Sequence, residues 1–149
     1  MSLNWSLLNF EELSAKQLYD ILQARQQVFI VEQNCFYLDC DEIDFECFHL
    51  CVYDNNKLVA YLRILPPGAK YKEVSIGRVL TVADKRTTGL GKEIMKRALD
   101  IIEEKFPDQP IKIMAQSYLV KFYENFGFKN ISEPFMEDGI PHNYMIIEK

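Results

Sequence analysis

The stretch from Val74 to Ala115 restricts the fold more than any other part of the chain. Val74, Ile76, Arg78, Leu80 and Val82 alternate with period two, which predicts a strand carrying those five side chains on one face. A Gly-bearing loop comes next, Arg86-Thr87-Thr88-Gly89-Leu90-Gly91. Leu90, Ile94, Ala98, Ile101 and Ile102 then recur at helical spacing, which predicts a helix from Gly89 to Phe106, closed by Pro107 and Pro110. Ile111 to Ala115 reads as a short buried strand. Strand, helix and strand in this order must pack as layers, so an α/β or α+β layered domain is expected.

The flanking segments agree with that class. Trp5 to Phe10 reads as a first strand. Ser14 and Gln17 have the spacing of a capping box, so a helix should start there and end before Asn34. Its apolar stripe is Leu18, Ile21, Leu22, Val28 and Phe29, and Arg25 falls on the same stripe. A charge in that place must be paired or point into a polar cavity. An acidic, cysteine-bearing connection comes after it, with Asp39, Asp41, Glu42 and Asp44. Phe48 to Tyr53 and Leu58 to Leu65 are strand-like, and Asp54-Asn55-Asn56-Lys57 between them suits a tight hairpin. Ser117 is a candidate N-cap for a helix ending at Phe126, with Gly127 to stop it. Phe128 onward and His142 to Ile147 supply the last strands. The order is β-α-β-β-β-α-β-α-β-β, without a repeat or linker, so residues 1–149 form a single domain.

Charge and cysteine usage exclude several functions. The net charge is -5 and no basic block stands out, which argues against nucleic-acid partners. Apolar runs fall short of the roughly 20 residues of a membrane span, and no signal peptide is visible, so a cytoplasmic location is the default expectation. Cys35, Cys40, Cys47 and Cys51 share one window. Their spacings match no common zinc pattern, and a chain of this kind is not a small secreted disulfide scaffold. Reduced, packed cysteines and no metal are expected.

A strand feeding a Gly-containing loop that opens a helix makes an anion site, because the first helical N–H groups have no partner and the helix dipole favours negative charge. Two rival phosphate loops fail. The Walker pattern needs Gly where Arg86 stands and Ser or Thr where Glu93 stands. The dinucleotide pattern needs a third Gly where Ile94 stands.

What remains, Arg-x-x-Gly-x-Gly, resembles the pyrophosphate-binding motif of the GCN5-related N-acetyltransferases, the GNAT superfamily. Phe122-Tyr123-Glu124-Asn125-Phe126-Gly127-Phe128 resembles the second conserved block of that superfamily. Nearly the whole chain is similar to the ElaA type within it. Arg25 with Val28 to Gln33, Asp41, Asp44, His49, Ile76 to Val79, Ala115-Gln116 and Glu137 to His142 carry that likeness. Thr87 departs from the pattern, since relatives commonly carry Gly there.

The resemblance implies a mixed, mostly antiparallel central sheet flanked by helices and splayed between its fourth and fifth strands. It implies acetyl-CoA as donor, held by Leu80, Thr81, Val82, Arg86, Thr87, Thr88, Gly89, Leu90, Gly91 and Lys92, with a backbone N–H near Leu80 polarising the thioester. It implies Tyr123 as general acid. The acceptor would be a small-molecule or peptide amine attacking directly in a ternary complex. Arg25, Glu32, Arg78, Glu137 and His142 are the acceptor-side candidates. The general base stays open among Glu32, His49, Glu73, Glu137 and His142. For Arg25, Arg63 and Arg78, internal pairing with Asp41, Asp44 or Glu32 competes with binding an anionic acceptor group. A sensor that binds acyl-CoA without turnover and an acyl-homoserine-lactone-synthase-like enzyme are the alternatives. The oligomeric state is open, a homodimer included.

Overall fold

The structure, a computed structural model, describes residues 3–149. Among the described residues, eight strands form two sheets, accompanied by three α-helices. β1 (Leu3–Asn9), β2 (Phe48–Asp54), β3 (Lys57–Leu65) and β4 (Ser75–Thr81) make an antiparallel meander in sequence order. β5 (Ile111–Gln116), β8 (Ile140–Ile147) and the two-residue β6 (Lys129–Asn130) make the second sheet, with β7 (Phe135–Glu137) also on β8. The splayed, mostly antiparallel architecture implied by the resemblance is present.

Helices cover both faces of the first sheet. α2 (Leu90–Lys105) buries Leu90, Ile94, Met95, Ala98 and Ile102 against Leu50, Val52, Leu62, Ile64, Val74 and Ile76. Full burial of a large aliphatic side chain contributes about 1.5–3 kcal/mol, so this face is the main core. α1 (Ala15–Arg25) lies on the opposite face, where Ile21 and Val28 pack with Cys51, Leu58, Tyr61 and Leu80. Ser14 caps α1 as expected: its hydroxyl accepts from Gln17 N–H, and the Gln17 side chain accepts from Ser14 N–H.

Three local expectations fail for physical reasons. β4 does not keep one face: two steps on β3, Tyr61 to Arg63, span three on β4, Leu80 to Gly77. Arg78 and Val79 thus stand against Leu62, and Arg78 takes a positive φ of 52°, which marks a bulge. The extra residue turns Leu80 to the α1 face while Val74 and Ile76 stay on the α2 face. After α1 the chain continues as a seven-residue π-helical segment, Gln26–Glu32, rather than a plain α-helix. Ser117 does not cap α3 (Val120–Glu124); its hydroxyl donates to Asn143 Oδ1 at 2.5 Å instead, and Ser117–Leu119 form a 3-10 turn.

Candidate active site

β4 and β5 touch at one end only. A parallel bridge joins Val74 to Ile111, with Val74 N–H donating to Pro110 O at 3.2 Å and Lys112 N–H to Val74 O at 2.8 Å. Beyond it the strands belong to different sheets, and the gap between them is a cleft of about 690 Å³. β4 from Ser75 to Thr81 forms one wall; Ile113, Met114 and Gln116 of β5 and the α3 residues Phe122 and Tyr123 form the other. The π-helical arm and the β7–β8 hairpin roof the acceptor end through Val28, Phe29, Glu32, Glu137 and His142. Two strand edges facing each other can receive an extended ligand arm as a surrogate strand.

The loop at the mouth has the features an anionic donor needs. The first intrahelical bond of α2 runs from Glu93 N–H to Gly89 O, so Leu90, Gly91 and Lys92 have N–H groups without an intrahelical acceptor. Arg86, Thr87 and Gly91 line the cleft, as do Leu80 and Thr81. Gly91 sits beside Thr81, with no side chain between its backbone and the cleft. The residues therefore fit a diphosphate-bearing donor. The others play smaller parts. Leu90 is buried under the loop, Thr88, Gly89 and Lys92 are exposed, and Val82 borders a second hollow, with Asp20 and Asp84. The threonine hydroxyls turn back onto the chain: Thr87 donates to Arg86 O and Thr88 to Lys85 O, each at 2.5 Å. Thr87 sits at φ 67°, a conformation that costs a β-branched residue dearly and glycine nothing.

Tyr123 lies on the β5 side of the cleft, 8% exposed, wedged edge-on against Phe122 and Phe128. Burial, with a smaller contribution from Tyr118, pushes its phenol up to about 12. No hydrogen-bond partner of its hydroxyl is found among the described residues. His142 is buried in the same cleft. Its Nδ1–H donates to Ile140 O at 2.7 Å, so in the neutral imidazole Nε2 is the acceptor nitrogen. Glu32 and Glu137 also line the cleft, whereas Glu73 does not. His49 lies elsewhere: Nε2–H donates to Asp44 O at 3.0 Å and Nδ1 accepts from Tyr61 O–H at 2.6 Å. Burial lowers its pKa, so it is a neutral structural histidine.

The three arginines share one network. Arg25 is fully buried and outside the cleft. It donates from Nε to Asp39 Oδ2 at 2.6 Å, from Nη1 to Asp44 Oδ1 at 2.7 Å and from Nη2 to Asp39 O at 2.9 Å. Its placement as an acceptor-binding residue is corrected to a structural one. Arg63 grips Asp41 with both Nη atoms, at 2.8 and 2.7 Å, and adds Asp44 at 2.9 Å. Its Nε is buried without a partner. Arg78, on the bulge, bonds Asp39 Oδ1 at 2.8 Å and does reach the cleft wall. Burial works against the Asp41 and Asp44 carboxylates, but the hydrogen bonds and charges of their arginines prevail and hold Asp41 well below the usual range and Asp44 below it. The acidic connection was legible as a partner set, but Asp39 as its hub was not. Tyr37, Lys70, Tyr71 and Tyr118 also line the cleft. They come from connections far apart in sequence, and no local pattern announces them. All four cysteines are unbridged; Cys35, Cys47 and Cys51 are buried and Cys40 is exposed.

Comparison with known proteins agrees with this geometry. The model of the acetyltransferase (GNAT) domain matches residues 14–149. Protein ElaA of Escherichia coli K12 is 40% identical over 142 residues, 94% of this chain and 93% of ElaA. The crystal structure of E. coli ElaA superposes with a TM-score of 0.93 over 99% of this chain and 100% of that one. The crystal structure of an acyl-CoA N-acyltransferase from Pseudomonas aeruginosa does so with 0.93 at 39% identity, over 97% and 99%. The CoA-dependent acyl-homoserine lactone synthase BjaI, 12% identical at a TM-score of 0.77 over 99% and 85%, shares the fold alone. No helix among the described residues is long and apolar enough to cross a membrane. Motif, splayed sheet and full-length likeness converge, and the chain is a member of the GNAT acetyltransferase family, of the ElaA type.

Proposed function

We propose that the chain is an N-acyltransferase that moves an acyl group, acetyl in the simplest case, from acyl-CoA to a primary amine by direct attack. The observation that carries this reading is Tyr123, a mostly buried residue whose hydroxyl has no partner among the described residues, in the cleft that ends at the Arg86–Gly91 loop. The donor supplies a thioester, whose acyl carbon an amine can attack and whose thiolate can leave. Leu80 lies just past the bulge on β4, and a cleft-facing backbone N–H beside it polarises the acyl oxygen. His142 Nε2 takes the proton that the amine must shed, because its other nitrogen is committed to Ile140 O. Tyr123 gives its proton to the departing thiolate. Burial makes it a weaker acid, but a thiolate leaving in the same desolvated cleft is a stronger base for the same reason.

The test is incubation with acetyl-CoA and pooled primary amines, following free thiol. Thiol release that depends on an amine and falls sharply in Tyr123→Phe supports the reading. Binding of acetyl-CoA with no amine-dependent thiol release across a broad panel would instead favour a sensor.

A further inference from the structure

One ion pair closes the mouth of the cleft. Arg86 Nη2 donates to Glu32 Oε1 at 2.6 Å, joining the donor loop to the end of the π-helical arm, while Arg86 Nε donates to Thr81 O at 2.9 Å. Glu32 makes no other ion pair among the described residues. Both residues line the cleft. The π segment decides this placement. A π turn takes in one more residue than an α turn, and one added residue rotates the rest of the helix by roughly 100°. The i-to-i+5 bond from Cys35 N–H to Ile30 O, at 3.0 Å, shows the wide turn persisting to the arm's end.

We infer that Glu32 is the residue that binds the acceptor's ammonium group, and that the donor uncovers it by drawing Arg86 away. The inference rests on the proposed donor site. With Arg86 Nε committed to Thr81 O, a forked bond to a diphosphate needs both Nη atoms and takes Nη2 from Glu32. The Arg86 side chain is 43% exposed and that of Glu32 27%, and pairs this open hold together by a factor of only roughly 1.4 to 5. A diphosphate at the helix start offers more charge and two oxygens for a forked bond, so it wins the guanidinium. Glu32 is then a bare carboxylate on the cleft wall, with Glu137 and Asp138 also lining it and Phe29 alongside. That surface takes a cation, so the acceptor enters as an alkylammonium and enters second. The network's arginines are matched by Asp39, Asp41 and Asp44, so the charge on this wall that opposes the cation is that of Lys70, with Glu137 nearby.

Calorimetry of CoA binding to wild type, Glu32→Ala, Arg86→Ala and the double variant tests the handover, with circular dichroism to check folding. Glu32→Ala should tighten CoA by roughly two- to fivefold in the wild-type background and by less than about 1.5-fold in the Arg86→Ala background. A Glu32→Ala variant that binds CoA no better than wild type overturns the inference. So does an effect of equal size in both backgrounds. Titration with 1,5-diaminopentane tests the acceptor half. The diamine should bind at least roughly threefold tighter to CoA-saturated than to CoA-free wild type, and Glu32→Ala should remove that difference. Equal affinity in the two states overturns it. If wild type fails to bind CoA, or Arg86→Ala binds it as wild type does, the donor site itself is wrong and the inference falls with it.

Discussion

Arginine is used in two opposite ways around one cleft. Beneath the acceptor end, Arg25 and Arg63 are 0% and 1% exposed and interlock with Asp39, Asp41 and Asp44. At the donor end, Arg86 is open to solvent and holds a single carboxylate. The side chain is the same; burial and the number of partners differ. A buried guanidinium must be satisfied by the fold itself, because leaving its charge unpaired costs several kcal/mol. An exposed one can exchange partners at little cost. An arginine locked by two carboxylates is scaffold, even where Arg63 Nε stays unpartnered, and a lightly held one is available to a ligand.

The sharpest way to break this contrast is to empty the scaffold. Asp44→Ala leaves Arg25 Nη1 without its carboxylate and Arg63 Nη1 with Asp41 alone, and should destabilise the chain by about 3–5 kcal/mol, measured by urea unfolding. A loss under 1 kcal/mol would mean that the network is no more than a surface pair. The same network fixes a pH dependence. The folded-state pKa values of Asp41 and Asp44 lie below the ordinary aspartate value of 3.8. Their contribution is therefore complete above that value and is lost as pH falls through the folded values. The urea midpoint should hold from neutrality to about pH 4 and then decline.

Tyr123→Phe should leave stability nearly unchanged and lower kcat by about 100-fold, or ~2.7 kcal/mol in the barrier. Because its folded pKa is raised to about 12 and the protonated form is the donor, kcat should show no alkaline fall from this group until pH approaches that value. A loss of the same size in Arg25→Lys with stability preserved would put the scaffold in the chemistry and erase the contrast. Arg86→Ala should weaken CoA binding by about 2 kcal/mol, the scale of one charge-assisted hydrogen-bonded contact, without moving the unfolding midpoint. The smallest effect is expected at Thr87. An L-residue at its positive φ costs about 1–2 kcal/mol, and glycine gives back roughly 0.5–1 kcal/mol through its freer unfolded chain. Thr87→Gly should thus raise stability by up to about 1 kcal/mol, read as a shift in Tm.

Most of the frame was legible because its signals are local. The Ser14–Gln17 box, the Asn55-Asn56 turn, both at positive φ, and the α2 stripe each lie within a few residues of what they specify. The loop motif is local in the same way, and Arg86, Thr87 and Gly91 of it line the cleft. The bulge was not legible: Val74 to Val82 alternates without a break along the sequence, and only the cross-strand register with β3 inserts the extra residue at Arg78. The π segment hid behind an apolar stripe that an α-helix would also have. Ser117 failed as a cap because its partner, Asn143, lies 26 residues away. One local signal was passed over. Asp138-Gly139, both at positive φ, is a strong hairpin dipeptide, and it would have placed β7 and β8 as a pair roofing the acceptor end.

The two unpaired strand edges bear on handling as well as catalysis. An open edge with free N–H and C=O groups is a template for any extended chain, and neighbouring molecules compete for it. In this protein the edges of β4 and β5 face a gap wide enough for a ligand arm. Donor-free preparations should therefore self-associate more readily on concentration or mild heating than CoA-saturated ones, as light scattering would show. The donor then serves also as a blocking strand that keeps the molecule from aggregating.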